Sequence, residues 1–194
     1  MTKNIFSIKN KVTLITGASS GIGESLAKLF AEEKSHLVLL ARRWERIRSL
    51  SAALEASYGV KCLPISCDVA DEQQAIEAVQ KAVQVFGRID ILINNAGITA
   101  KSEDVTSHST EQWDSVLSTN LDGAFYVSRE AVKIMKENQY GKIINISSVC
   151  GLMGLANQVG YAASKSGMIG LTRAMAVELG KYNITVNAIA PGYI

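Results

Sequence analysis

Proline is nearly absent from the chain: of 194 residues only Pro64 and Pro191 are prolines. No stretch is rich in proline, glycine and serine together, and no low-complexity tract or internal repeat interrupts the sequence. One domain over residues 1–194 is therefore the simplest organisation. Cysteine is scarce as well. Cys62, Cys67 and Cys150 are odd in number and lack the tight spacing of a metal site, which predicts reduced thiols, no metal centre and a cytoplasmic setting. Neither sign of charge prevails: 20 basic and 18 acidic side chains leave a net +2, with no general drive toward nucleic acid or an anionic membrane. No segment approaches the roughly 20 apolar residues that cross a bilayer. The opening MTKNIFSIKN holds no apolar run of secretory-signal length.

What is present is an alternation. Short, continuous apolar runs at 12–16, 37–40, 60–66, 89–94, 142–147 and 185–190 predict strands. Helical periodicity fills the intervals 21–33, 44–58 and 70–86, the last two closed by Gly59 and Gly87, and then 161–179. Ser109 with Gln112 forms a capping-box pattern that opens a long helical stretch through residue 135. Strands that are apolar throughout, each followed by a helix, are parallel and buried on both faces. Right-handed crossovers then give a doubly wound α/β sheet.

The first predicted strand runs straight into Thr16-Gly17-Ala18-Ser19-Ser20-Gly21-Ile22-Gly23, and a helix follows. Glycines there permit a tight turn and close backbone approach to a pyrophosphate, while the free N–H groups of the new helix face the anion. A plain strand–helix turn is the alternative. Three glycines in seven residues at the first junction of an alternating pattern favour a nucleotide. Thr16, Gly17, Ser19, Ser20, Gly21, Ile22 and Gly23 are its candidate contacts.

A second constellation lies downstream. Tyr161 and Lys165 are four residues apart on a predicted helix and so share a face. A cation beside a phenol favours the phenolate and makes the group a better acid–base catalyst near neutral pH. Ser148 can both donate and accept hydrogen bonds and could hold a carbonyl or alcohol oxygen against the tyrosine. Taken alone, a Tyr-x-x-x-Lys pair is as readily a solvated helix face.

Together these motifs make the chain resemble the short-chain dehydrogenase/reductase family over almost its whole length. They fall in the family's order: TGASSGIG at 16–23, Asp68-Val69, NNAG at 94–97, Asn120, Ser148, Tyr161 with Lys165, and Pro191-Gly192. The subfamily it looks most like is the 3-oxoacyl-[acyl-carrier-protein] reductases. The resemblance implies a Rossmann-type sheet and a set of roles. Tyr161 would be the general acid in reduction, Lys165 would tune it and hold the nicotinamide ribose, and Ser148 would orient the substrate oxygen. Asn120 would keep a water beside Lys165; a mid-helix asparagine also suggests a helix irregularity or a buried bond. Asn94 would pin neighbouring strands. Asn95, Ala96 and Gly97 would pass the adenine ribose and nicotinamide. Asp68 and Val69 would meet the adenine, although Asp68 serves equally as a helix N-cap. Pro191, Gly192 and Ile194 would line the carboxamide pocket, or simply end a strand.

The cofactor's phosphate state is read at the end of the second strand. An acidic residue there binds the ribose hydroxyls of NAD; this chain has Arg42 and Arg43, and no carboxylate before Glu45. Guanidinium forks suit a 2′-phosphate, so NADP(H) is favoured over NAD(H), with Arg42 as the main contact. Both arginines solvated at a helix start is the alternative.

Members of the family ordinarily run longer. The resemblance implies that a substrate-covering segment and a seventh strand lie beyond residue 194, so six strands are visible and the sixth is an open edge. A 194-residue piece is then expected to be weak or inactive. The expected activity of the parent is reduction of a ketone, a 3-oxoacyl thioester first, with a sugar, steroid or other alcohol second, and a catalytically silent nucleotide-binding fragment third. An acidic carrier would need a basic patch, for which Lys133, Lys136, Lys142 and Arg173 are candidates. The resemblance further implies a homodimer or homotetramer through the two long central helices.

Overall fold

Each apolar run becomes a strand in the computed structural model, which describes residues 6–101 and 103–193. The strands are β1 (Val12–Thr16), β2 (His36–Ala41), β3 (Cys62–Ser66), β4 (Ile91–Asn94), β5 (Gly141–Ile146) and β6 (Ile184–Ile189). All neighbours pair in parallel, in the order β3-β2-β1-β4-β5-β6. The reversal of strand order falls between β1 and β4, and ligands of open α/β sheets bind at that crevice, beyond the strands' carboxyl ends. Pro64 sits on edge strand β3, where a missing N–H is tolerated.

Helices cover the sheet as its continuous apolar strands require. On one face α1 (Gly21–Glu32) and α2 (Trp44–Tyr58) bury Ala27, Ala31, Ile47 and Leu54 against Ile15, Leu37 and Leu39. On the other, α3 (Glu72–Phe86) and α5 (Gly123–Glu137) bury Ala78, Val79, Val127 and Met135 against Leu14, Leu92 and Ile143. α6 (Val159–Leu179) joins this second face through Leu179, beside Ile184 and Val186 of β6. The alternate β6 residues Thr185, Asn187 and Ile189 are exposed.

Several boundaries move for identifiable reasons. β3 starts at Cys62 rather than 60, because Lys61 N donates to His36 Nδ1 at 3.0 Å and Cys62 N to Glu55 Oε1 at 2.9 Å. β4 starts at Ile91 because buried Asp90 takes the Val12 N–H at 2.9 Å on its own carboxylate, which Lys11 and Arg88 also hold. α3 starts at Glu72 because Asp71 is the cap, accepting from Gln74 N at 3.0 Å. That leaves Asp68 free of the capping duty which the sequence allowed it. Gly59 and Gly87 close α2 and α3 at φ 67° and 71°, left-handed conformations that glycine adopts without strain.

The long helix foreseen from Ser109 is built with an interruption. The capping box forms and opens α4 (Thr110–Leu117), a π-helical turn follows at Ser118–Asp122, and α5 continues. Gly123 N reaches back to Ser118 O, the i→i−5 bond of a wide turn. Asn120 lies in the middle of it.

Candidate functional site

The cleft is built where β1 and β4 diverge. Gly17 and Gly21 adopt φ 67° and 56°, so the chain turns sharply off β1 into α1. A Cβ on Gly17 would lie 2.8 Å from Ala96 Cα, and one on Gly23 would collide with the Gly17 carbonyl. Thr16 is buried and splices the two strand ends. Its hydroxyl accepts from Asn95 N and Ala96 N, both at 3.0 Å. Asn95 returns the contact by donating Nδ2 to Thr16 O at 3.0 Å. Gly17, Ser19, Ser20 and Ile22 line the open cleft; Thr16 supports it from behind.

At the end of β2 the two arginines differ. Arg43 donates to Ser19 Oγ from Nε at 3.1 Å and from a terminal nitrogen at 2.8 Å, and to Ser20 Oγ at 2.5 Å. Arg42 is 65% exposed and lies 3.6 Å from the Asp68 carboxylate. Both line the cleft, as do Asp68 and Val69. Sequence reasoning named Arg42 as the principal cation, yet Arg43 is the one clamped to the glycine-rich turn. Only a pairing across 24 residues shows this.

Across the cleft, the catalytic candidates converge. Lys165 is buried; its Nζ donates to Ile146 O at 2.7 Å and lies 5.6 Å from the Tyr161 ring centroid. Burial pushes its ammonium down to about 8. A Cβ on Gly97 would sit 3.3 Å from Asn120 Oδ1 and 3.4 Å from Lys165 Nζ, so the NNAG glycine is the gap through which the lysine reaches the cleft. Ser148 Oγ accepts from Cys150 N at 3.1 Å, capping a short 3-10 turn at Val149–Gly151; its hydroxyl proton remains available for a further acceptor.

Asn120 is engaged by protein on both amide atoms. Oδ1 accepts from Ile98 N at 2.8 Å, and Nδ2 donates to Ile98 O at 2.9 Å and to Ser164 Oγ at 3.0 Å. Its side chain therefore fixes the backbone beside Gly97. Ser164 and Ser147 join the site unannounced by the sequence reading: Ser147 Oγ donates to Lys165 O at 2.9 Å. Their signal was adjacency, Ser147 before Ser148 and Ser164 before Lys165. Pro191 and Gly192 line the cleft and are tied back by Val149 N to Pro191 O at 2.9 Å; Ile194 lies outside the described residues.

The cleft measures about 720 Å³, within the range of small-molecule sites. Its donor set fits a dinucleotide. Ser20 at the head of α1 makes no side-chain cap bond, and a Cβ at Gly21 would meet nothing within 4 Å. The head of α1 meets the cleft through Ser20 and Ile22, with two arginines on the same lining, a set that suits a pyrophosphate and a further phosphate. Two of the four basic candidates for a carrier protein are engaged: Lys133 pairs with Glu130 at 2.6 Å and Lys136 with Glu178 at 3.5 Å. Among the described residues no helix is long and apolar enough to cross a membrane.

Residues 11–194 match the family model of the short chain dehydrogenases. The chain belongs to this family. A short-chain dehydrogenase is an oxidoreductase, and the cleft above stands where the family's parallel sheet reverses order. Among curated proteins, the chain is 44% identical over 187 residues to a 3-oxoacyl-[acyl-carrier-protein] reductase of Thermotoga maritima, covering 96% of this chain and 75% of that one. It is 42% identical over 186 residues to levodione reductase of Leifsonia aquatica, covering 95% and 70%. Among solved structures, an NAD+-bound xylitol dehydrogenase superposes with a TM-score of 0.93 at 37% identity, covering 96% of this short-chain dehydrogenase and 71% of that chain.

Proposed function

We propose that the chain is the dinucleotide-binding and catalytic unit of an NADP(H)-dependent reductase acting on a ketone, with a 3-oxoacyl thioester as first candidate. The observation that carries this reading is the convergence of Lys165 Nζ, Gly97 and the Tyr161 ring at the cleft, opposite the arginine pair. The likeness to a 3-oxoacyl-[acyl-carrier-protein] reductase supports the thioester. The cofactor, when bound, supplies a hydride to the carbonyl carbon.

The chain's own residues then manage the oxygen. The Ser148 hydroxyl donates to it and fixes its position. Tyr161 transfers the phenolic proton as negative charge develops there, a contribution typically of about 10²–10⁴ in rate. Lys165, below its depressed pKa of about 8, is a buried cation near the phenol and stabilises the charge left on Tyr161. Asn120 holds Ile98 and Ser164, which keeps Gly97 flat against the lysine. Arg43, held by Ser19 and Ser20, is the first partner for a 2′-phosphate, and exposed Arg42 the second. Exposed Phe125 on α5 and Val177 on α6 support association through the central helices.

A second reading, oxidation of a sugar or other alcohol with NAD+, draws on the likeness to xylitol dehydrogenase. One panel separates them: 3-oxoacyl thioesters, cyclic diketones and polyols, each with both cofactors, followed by nicotinamide absorbance. Reduction of the thioester with NADPH is expected. Faster polyol oxidation with NAD+ would replace the first reading by the second.

A further inference from the structure

The helix that carries Tyr161 begins without a cap. Gln158 is its N-cap residue and makes no side-chain capping bond. The chain enters through Asn157 in a left-handed conformation, φ 62°. Such a first turn holds its position by packing, since nothing hydrogen-bonds its leading N–H groups from the cap side chain.

The packing is unusual in kind. Gly160, buried, directly precedes Tyr161. A Cβ there would lie 3.0 Å from His108 Nε2 and 3.6 Å from Trp113 Cε3. His108 precedes the N-cap Ser109 of α4, and Trp113 is the fourth residue after that cap. Those are the two positions of a hydrophobic staple, normally both apolar. Here an imidazole fills one of them. Both its ring nitrogens are buried, and among the described residues neither has a hydrogen-bond partner. An aliphatic side chain would fill the slot without stranding two polar atoms. Imidazole and indole thus both close on the same point of α6, the Gly160 position.

We propose that His108 is a positioning residue for Tyr161, acting through Gly160: the His108–Trp113 face sets the first turn of α6 and so the phenol's place relative to Ser148 and Lys165. The loop between β4 and α4 is then tied to the site at both ends, by Asn120 on Ile98 and by His108 on Gly160. This inference rests on the reading of Tyr161 as proton donor.

The test is a double-mutant cycle on the full chain with G160A and H108A, and H108Q in case H108A fails to fold. Misplacement of a catalytic group by about 1 Å lowers the rate by up to about a hundredfold. G160A and H108A are each expected to lower kcat about tenfold with cofactor KM unchanged. The double variant should be no worse than H108A, because removing the ring makes room for the new methyl. Amide hydrogen exchange at Tyr161 and Ala162 should quicken in H108A whether or not turnover is measurable. Losses that multiply in the double variant, or a lowered Tm with kcat and exchange unchanged, would overturn the link to His108 alone. Full turnover in Y161F would instead overturn the reading of Tyr161 itself.

Discussion

The two halves of the sheet meet at one cleft but treat their polar groups in opposite ways. Around β1–β3 groups facing the cleft are left open, namely the N–H groups at the head of α1 that no side chain caps, Arg42 at the surface and glycines in left-handed conformations, with Arg43, tied to Ser19 and Ser20, the exception. Around β4–β6 a buried polar network is bonded within itself. Asn94 Nδ2 donates to Ser128 Oγ and Asn145 Oδ1, both at 2.8 Å, and Asn145 Nδ2 donates to Thr172 Oγ1 at 2.9 Å. Lys165, Ser147, Asn120 and Ser164 continue the pattern toward the cleft. An open donor can take up a ligand's charge, while a donor already engaged fixes its neighbours. One half is therefore fitted to binding and the other to geometry.

Substitutions should respect this division. The largest effect is expected from Y161F, which removes the proton but little volume: kcat should fall about 10²–10⁴-fold with cofactor Kd unchanged, checked by single-turnover kinetics and cofactor fluorescence. A matching loss of cofactor affinity would break the comparison. K165M comes next and probes burial. Lys165 titrates at about 8 in the folded chain against 10.5 ordinarily. Between those pH values the unfolded chain keeps a proton that the folded chain has released. Stability of the native sequence relative to K165M should thus be flat below pH 8 and rise through the window, by on the order of 3 kcal/mol in all. Urea midpoints at pH 7 and pH 10 measure it, and a falling difference would contradict the buried cation.

On the binding side, G23A drives a methyl into the Gly17 carbonyl. It should lower stability by about 1–3 kcal/mol and weaken cofactor binding, while kcat at saturation survives; thermal melts with and without cofactor read both. The mildest change is R43A. Loss of one guanidinium–phosphate contact should raise the KM for NADPH about tenfold and leave NADH unaffected. Should R42A do this and R43A not, Arg42 would be the phosphate contact, as the sequence suggested.

The sequence was informative where structure is local. Apolar runs marked all the strands, Gly59 and Gly87 marked helix ends, and an asparagine in a helical pattern marked the irregular turn at Asn120. It was silent where a distant partner decides. Arg43 rather than Arg42 is bonded to Ser19 and Ser20, and β4 is shortened by Asp90 reaching back to Val12. The cap at Asp71 is the local exception: Gln74, three residues on, bonds it through both main chain and side chain, and the sequence pattern alone did not separate Asp71 from Asp68. Nothing in the sequence singled out His108, whose neighbour Gly160 lies on a different helix.

The wide turn at Ser118–Asp122 carries a further consequence. A π turn absorbs one additional residue while the helices on either side keep facing their neighbours. Deleting one residue there would let α4 run into α5 as a regular helix, with Val116, Val127, Ala131 and Met135 still directed inward. Only the displaced turn would vanish, and with it the hold of Asn120 on Ile98 and Ser164. A variant shortened here by one residue is therefore expected to fold, read by its thermal melt, and to lose turnover, which would separate the ability to fold from the ability to work.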